Sequence, residues 1–345
     1  MKKAGNKRTG AAKVVVIVIS AMIIATIVAF CANALARPAQ KSVGSALSSS
    51  DGKRAYTFLL TGRDKAADLA DVIMLAVFDT EEHKICVVQI PRDTYFNYTD
   101  KDYKKINGAL SACGGAAGFS SRVGEALGVP VDFYMSIDLD AFVQVVDLLG
   151  GVEINVPRDM EYTDPYQNLT VRLSKGKQTL DGERAMQFVR FRSGYIRGDI
   201  SRMDAQKIFV ASLAKKLSET KNPVTLCNIF KAFSGRANTN LSEKDYLYFA
   251  YHFLQCDRED ISFVTAPGED VQSKASGAWY YILSRDAMSE LLAGELGLQN
   301  SKNDFDKNLK FVDKNVKSFY DIYNKYCSYK IYRADDVLNG GLELK

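Results

Sequence analysis

The sequence predicts an α/β fold: a three-layer α/β/α sandwich with a mixed central sheet, preceded by one N-terminal transmembrane helix. Three observations carry that expectation. Short, near-continuous apolar runs alternate with stretches of helical periodicity, as strands covered by helices on both faces do. Two of those runs are joined by a tight polar turn, so part of the sheet is antiparallel. One apolar run near the N-terminus is long enough to cross a bilayer.

That run is Val14 to Ala36, with no acidic residue in it. Lys2, Lys3, Lys7, Arg8 and Lys13 precede it and set the N-terminal side in the cytoplasm. Ala34-Leu35-Ala36 resembles a signal-peptidase site, but the run exceeds the usual cleaved segment, so an uncleaved anchor is expected. The organisation read from the sequence is a basic tail at 1–13, the anchor at 14–36 and a Ser- and Gly-rich stalk at 37–54. A catalytic-size domain at 55–295 and a C-terminal extension at 296–345 follow. The 345 residues, 47% hydrophobic, suffice for a large core. Net charge is only +4, and all of the surplus lies in the tail, so no nucleic-acid partner is expected.

Order begins with an expected strand at Ala55–Leu60, ending in the loop TGRDKAADLAD. A hairpin follows, Val72–Phe78 and Lys84–Gln89, turning at Asp79–Glu82. Helical periodicity marks Ser120–Leu127 and Leu139–Leu149, the second stopped by Gly150-Gly151. Val152–Val156 reads as a strand closed by Pro157. Helices are expected from Gly182, over Ile200–Leu217 and near Glu243–Leu254, with a strand at Ile261–Thr265 and a turn at Ala266–Glu269.

The usual hydrolase and metal signatures are missing: no GxSxG, no HExxH, no P-loop. His83 and His252, the only histidines, read as surface or capping residues. Gly114–Gly118 reads as the loop before a helix rather than a phosphate cradle. Of six cysteines, five lie outside the anchor, Cys86, Cys113, Cys227, Cys256 and Cys327; no two form a CxxC pair, and they read as buried thiols, with one unassigned bridge the alternative.

Aspartates and arginines at element ends remain. Asp64 follows one strand and Asp71 opens the next, so the loop between can bring both carboxylates together. Two carboxylates suit Mg²⁺, or Mn²⁺ in its place. Arg92 ends a buried strand just after Pro91. In FVRFR, Arg190 and Arg192 alternate with apolar residues and share a face if the segment is extended. Asp199, Arg202 and Gln206 fall on one helix face. Each arginine alone reads equally well as a surface ion-pair partner. Together with Mg²⁺ they suit a pyrophosphate, because guanidinium pairs with phosphate through parallel hydrogen bonds.

An ordered series of segments, FLLTGRD, ADVIMLAVFD, IPRDTYF, KINGAL, LGVPVDFYMSIDLDAFVQVVDLLGGVEINVP, LSKGKQTLDGERAMQFVRFR and GDISRMDAQ, resembles the LytR–CpsA–Psr family of cell-envelope phosphotransferases. The resemblance spans about Tyr56 to Leu217. It implies an α/β/α domain holding a polyprenyl pyrophosphate. The implied reaction moves an anionic glycopolymer from undecaprenyl pyrophosphate onto a peptidoglycan hydroxyl, on N-acetylmuramic acid. It also implies a single-pass protein of the cell membrane with an extracellular catalytic domain. Residue by residue, Asp64 and Asp71 match the Mg²⁺-linked aspartates. Arg92, Arg190, Arg192 and Arg202 match the pyrophosphate-binding arginines. Asp199 and Gln206 complete the cluster, and Lys105 matches a basic position near the head group. Asp64, Arg92, Arg190 and Arg192 are the catalytic candidates. Either aspartate can serve as general base, with Asp64 preferred. One departure stands out: Leu69-Ala70-Asp71 replaces the family's Arg-Ser-Asp or Arg-Thr-Asp. The alternatives are a polyprenyl-pyrophosphate-binding scaffold or regulator without turnover, and a lipid pyrophosphatase.

Overall fold

The computed structural model describes residues 55–64, 69–99, 104–164, 169–193, 195, 199–220, 237–253, 255–298, 309–342 and 344. The expected anchor at 14–36 and stalk at 37–54 lie outside them. Among the described residues no helix is long and apolar enough to cross a membrane.

Strands β1 (Ala55–Asp64), β2 (Leu69–Asp79) and β3 (Lys84–Ile90) form an antiparallel meander. Helices α1 (Ala109–Ala112) and α2 (Ala116–Leu127) lead into β4 (Phe133–Asp138). α3 (Leu139–Leu148) starts on an N-cap, with the Asp138 carboxylate accepting the Ala141 N–H at 3.0 Å. Two ribbons follow: β5 (Val152–Val156) pairs with the later β8 (Gly176–Leu180), enclosing β6 (Met160–Asp164) and β7 (Leu169–Leu173). Then come α4 (Gly182–Arg190), α5 (Asp199–Glu219), β9 (Asn238–Thr239), α6 (Glu243–Phe253) and β10 (Ile261–Thr265). A ribbon of β11 (Gly268–Gln272) and β12 (Trp279–Leu283) precedes α7 (Arg285–Glu290), α8 (Lys317–Tyr323), β13 (Tyr332–Arg333) and α9 (Ala334–Leu338).

The main sheet is mixed, seven strands in the order β13-β10-β3-β2-β1-β4-β9. β1 runs parallel to β4, and β3 to β10, while β2 is antiparallel between β1 and β3. The carboxyl ends of β1, β3, β4 and β10 therefore lie on one edge, with the amino end of β2. Open α/β sheets bind ligands at that edge.

Alternation along each strand divides the core into two layers. Phe58, Leu60, Met74, Phe78, Val87 and Ile137 face α3 to α6 and α9. Leu59, Ile73, Leu75, Val77 and Val88 face α1, α2, α7, α8 and the β11–β12 ribbon. The three layers expected from the sequence are thus present.

Three local expectations differ. β1 continues to Asp64 instead of ending at Leu60, because Thr61 to Asp64 pair with the start of β2. α2 begins at Ala116, inside the glycine run, with Gly114 and Gly115 at positive φ (83° and 89°) forming the turn before it. The turn at Ala266–Glu269 is shorter, since Gly268 already opens β11. Beyond residue 295, the chain packs into the same body: Phe311, Phe319 and Tyr323 join one core layer, Ala334 and Val337 the other, and β13 edges the sheet. The described cysteines, Cys86, Cys113, Cys256 and Cys327, are free thiols.

Candidate functional site

The β1–β2 hairpin carries a bulge at its open end. Gly62 pairs with Val72 and Arg63 with Ala70, so Asp71 is the extra residue. The bulge shifts the alternation, and Ala70 packs in the same layer as Ile73 and Leu75. Asp71 is re-aimed to the sheet edge, where it is buried at 5% exposure. Its Oδ1 accepts a hydrogen bond from Arg92 Nη1 at 2.9 Å.

Arg92 reaches it from a fixed turn. Pro91 ends β3 and lacks the N–H that would continue the ladder. The Pro91 carbonyl instead accepts the Thr94 N–H at 3.0 Å and the Thr94 hydroxyl at 2.6 Å. The KING segment clamps this turn from outside: Asn107 N–H donates to the Arg92 carbonyl and Ile106 N–H to Thr94. Lys105 Nζ donates to Asp93 Oδ1 at 2.6 Å and lies 5.8 Å from the centre of the Tyr280 ring. Asp93 therefore holds Lys105 at the site.

Two helices supply the rest. α4 docks its first turn directly on α3: Gly182 N–H donates to Asp147, and any Cβ on Gly182 would sit 2.4 Å from the Val143 carbonyl oxygen. Asp181 caps the helix by accepting the Arg184 N–H. α4 ends at Arg190, which is buried in its last turn, where a cation suits the helix carboxyl end. α5 is buried on most sides and runs through one layer, with Met203, Ala205, Phe209, Val210, Leu213 and Leu217 among its buried side chains. Its amino end points at the sheet edge and carries Asp199 and Arg202. Arg202 Nη2 lies 2.6 Å from Asp199 Oδ1, and Arg92 Nε lies 3.7 Å from the same oxygen. One turn further on, Gln206 Oε1 accepts from Gln89 Nε2 at 2.6 Å, tying α5 to β3. Lys207, 1% exposed, donates to Asp204 at 2.8 Å and to Thr265 at the end of β10 at 2.7 Å.

Electrostatics follow from this packing. Burial alone would push the Asp199 carboxyl up, but Arg202, Arg92, Arg192 and Lys105 outweigh it and hold Asp199 below its ordinary range. Burial opposes the charge on Arg92, yet Asp199, Asp71 and Asp93 push its pKa up. Arg202 is fully buried, and desolvation pulls its guanidinium pKa down against the pull of Asp199. Among the described residues, Arg92, Arg192, Arg202 and Lys105 stand against Asp71, Asp93 and Asp199, so cations outnumber carboxylates even before Arg190. That surplus sits beside a helix amino terminus, an arrangement that binds phosphate.

The structure brings together Asp71, Arg92, Asp199 and Arg202, with Lys105 and Arg192 within electrostatic reach of Asp199, while Gln206 bonds Gln89 one helical turn on. Arg190 and Arg192 do not share a face as an extended segment would allow. Arg190 is helical and buried, Phe191 is extended, and Arg192 is exposed. The Asp64 backbone pairs with Leu69 across the hairpin; its side chain lies outside the described set. Leu69 is half-buried there, and Arg63 stands opposite Ala70 with its side chain exposed. His83 and His252 stack on each other at 5.6 Å between centroids, at the other end of β3 and away from this chemistry. A cavity of about 760 Å³ lies against the far half of α5, lined by Ile208, Ser212, Lys216, Val337 and Asn339.

The donor set fits a hard divalent cation. Asp71 Oδ2 is buried and has no hydrogen-bond partner among the described residues. Among the same residues, no three metal-ligating side chains converge. Mg²⁺ needs only one or two carboxylates when phosphate and water complete its shell.

Comparison with known proteins places these residues in context. A family model, the LytR_cpsA_psr family, matches residues 24–295. An uncharacterized protein of Staphylococcus aureus is 30% identical over 251 residues, 71% of this chain and 60% of that one, so the chain spans less than two thirds of that relative. A polyisoprenyl-teichoic acid–peptidoglycan teichoic acid transferase, TagU, of Bacillus cereus is 29% identical over 241 residues, 68% of this chain and 76% of that one. A solved structure described as TagT bound to LIIa-WTA superposes with a TM-score of 0.56 at 25% identity, covering 72% of this chain and 93% of that one.

Proposed function

The chain belongs to the LytR–CpsA–Psr family, and from that premise we propose that it transfers an anionic glycopolymer from a polyprenyl pyrophosphate carrier onto a hydroxyl of peptidoglycan. The observation that carries the reading is the cluster of Arg92, Arg202 and Lys105 gathered with Asp71, Asp93 and Asp199 at the carboxyl edge of the sheet and the amino end of α5, where cations outnumber carboxylates once Arg192 is included. A pyrophosphate neutralises it. The named activity of TagU and the ligand named with TagT support the same chemistry.

In this reading Arg92, Arg202, Arg190, Arg192 and Lys105 bind the two phosphates. Asp199 and Gln206 keep Arg202 and β3 in position, and the polyprenyl chain extends toward the apolar layer beneath. An acceptor oxygen on N-acetylmuramic acid bonds to the glycan-side phosphorus. The bond from that phosphorus to the bridging oxygen breaks, and undecaprenyl phosphate leaves. The hydroxyl proton passes to Asp64. Catalysis is positioning plus neutralisation of charge on the phosphates. Asp71, with Asp64 across the hairpin, would hold Mg²⁺ or Mn²⁺, which supplies further neutralisation of the pyrophosphate. Residues 14–36 anchor the chain, with the tail inside and the domain outside the cell membrane. The same site serves teichoic acid, capsule or another wall glycan, since it reads the pyrophosphate and not the polymer.

The test is a transfer assay with a synthetic lipid-pyrophosphate glycan and peptidoglycan oligomers, comparing wild type with Arg92→Ala. Linked product is expected from wild type only. Equal transfer by both would overturn the assignment of the site. Free lipid phosphate without linkage would make the protein a pyrophosphatase. Leu69, which offers no charge where the family has arginine, favours one further reading: a binder without turnover. Tight lipid binding without any product would select it.

A further inference from the structure

Trp279 is the only tryptophan in the chain. Among the described residues it is also the most exposed large apolar side chain, at 56%. A single exposed apolar residue ordinarily needs no explanation. Its placement is what matters here.

Trp279 opens β12, and β12 is hydrogen-bonded to the Arg92 turn. Tyr281 N–H donates to the Asp93 carbonyl, Tyr95 N–H donates to the Tyr281 carbonyl, and Thr94 bridges Tyr281 in parallel. The parallel direction puts Trp279 on the Arg92 side of that bridge, about 7 Å along the strand from Tyr281. Strand alternation gives Trp279 the same ribbon face as Tyr281, whose hydroxyl donates to the Ala266 carbonyl just past β10, at the sheet's carboxyl edge. Next to it, Tyr280 lies under Lys105, which bonds Asp93 and acts on Asp199. The β11–β12 ribbon is thus tied to the cationic cluster by backbone hydrogen bonds, with an indole left facing solvent beside it. Cross-strand from Trp279 stands Gln272, whose Nε2 donates to Gly277.

We infer that Trp279 is a stacking platform for a pyranose ring of the acceptor glycan, next to the phosphate site. The inference rests on the transferase reading. A pyranose offers a face of C–H groups and a rim of hydroxyls. An indole meets the first with a flat apolar surface that loses little conformational entropy on binding. Gln272, directly cross-strand from Trp279 and so on the same face, suits the second. A rigid platform on a paired strand fixes the acceptor's orientation, which a reaction driven by positioning requires. The donor's own first sugar has the same chemistry, so the experiment separates the two.

The full chain in detergent has one tryptophan, and selectively excited emission reports on Trp279 alone. Titration with a soluble peptidoglycan tetrasaccharide is expected to shift the emission to the blue and saturate, whereas inorganic pyrophosphate leaves it unchanged. A donor analogue carrying lipid and one sugar is also expected to leave it unchanged. In steady-state transfer, Trp279→Ala is expected to raise the acceptor KM about tenfold, and Trp279→Phe to restore most of it, with the donor KM unaltered. No shift with the tetrasaccharide, or a shift and a raised KM with the donor instead, would overturn the acceptor platform. If emission shifts but wild type transfers nothing, the transferase reading fails and the platform stands. If wild type transfers while emission and acceptor KM ignore Trp279, the platform fails and the transferase reading stands.

Discussion

Arg92 Nη1 lies 2.9 Å from Asp71 Oδ1, joining the turn after β3 to the bulge that opens β2. Both side chains are largely out of water, at 12% and 1% exposure. Arg92→Ala leaves Asp71 buried without that cation, which costs about 3 kcal/mol of stability. It also removes a phosphate donor, and transfer is expected to fall about 10²- to 10³-fold. Adding Asp71→Asn to the Arg92→Ala variant removes the stranded charge. It is expected to recover much of the denaturation midpoint but none of the transfer. Recovery of both together would show that Arg92 acts through folding alone.

Lys207 offers the opposite combination. Its ammonium bridges Asp204 and Thr265 in a buried position, one residue past Gln206. Lys207→Met keeps the volume but strands Asp204, so a loss of about 2–4 kcal/mol is expected. The KM values for donor and acceptor should stay within about twofold of wild type, since the Lys207 ammonium is held by Asp204 and Thr265. A large rise in donor KM would place Lys207 among the phosphate ligands instead.

Asp199 predicts an acid limb in stability. Its folded pKa lies below the ordinary 3.8 because Arg202, Arg92, Arg192 and Lys105 outweigh the burial that opposes its charge. The unfolded chain therefore binds the proton first as pH falls. The contribution is full above the ordinary value and is lost as pH drops through the folded one. Thermal midpoints followed from about pH 5 down to about pH 2 should fall more steeply for wild type than for Asp199→Asn. Parallel slopes would mean that Asp199 is not the group paired with the arginines.

Much of this was legible because it is periodic. The apolar strands and the i, i+3, i+7 spacing of Asp199, Arg202 and Gln206 depend on local geometry that sequence expresses directly. The bulge at Asp71 was not legible, since no glycine or proline marks its own strand, and Gly62 shows its part in it only once β1 pairs with β2. The FVRFR segment misled because alternation suits an extended chain. Packing of α4 on α3, permitted by Gly182, carries the helix through Arg190 instead. The Gln89–Gln206 hydrogen bond and the buried Lys207 were missed for a similar reason. Each looks like an ordinary polar residue until strands and helices distant in sequence meet. The role of the C-terminal segment depends equally on contacts that no local pattern records.

The two aspartates of the hairpin should separate by assay. Asp71 presents a buried oxygen, Oδ2, without a hydrogen-bond partner among the described residues, beside the guanidinium that would hold phosphate. If that oxygen binds Mg²⁺, Asp71→Asn removes its charge but keeps an oxygen, and the Mg²⁺ concentration for half-maximal transfer should rise about tenfold. Chelation with EDTA should abolish wild-type transfer, and added Mg²⁺ or Mn²⁺ should restore it. In the proposed mechanism Asp64, on the facing strand, takes the proton. Asp64→Asn should lower the transfer rate about 10²-fold or more, because an amide cannot accept the hydroxyl proton. Mg²⁺ binding, read by competition with Mn²⁺ in electron paramagnetic resonance, should be reduced less by Asp64→Asn than by Asp71→Asn. A full transfer rate for Asp64→Asn with metal still bound would remove Asp64 as the base, and the proton would then have to leave by way of Asp71 or solvent.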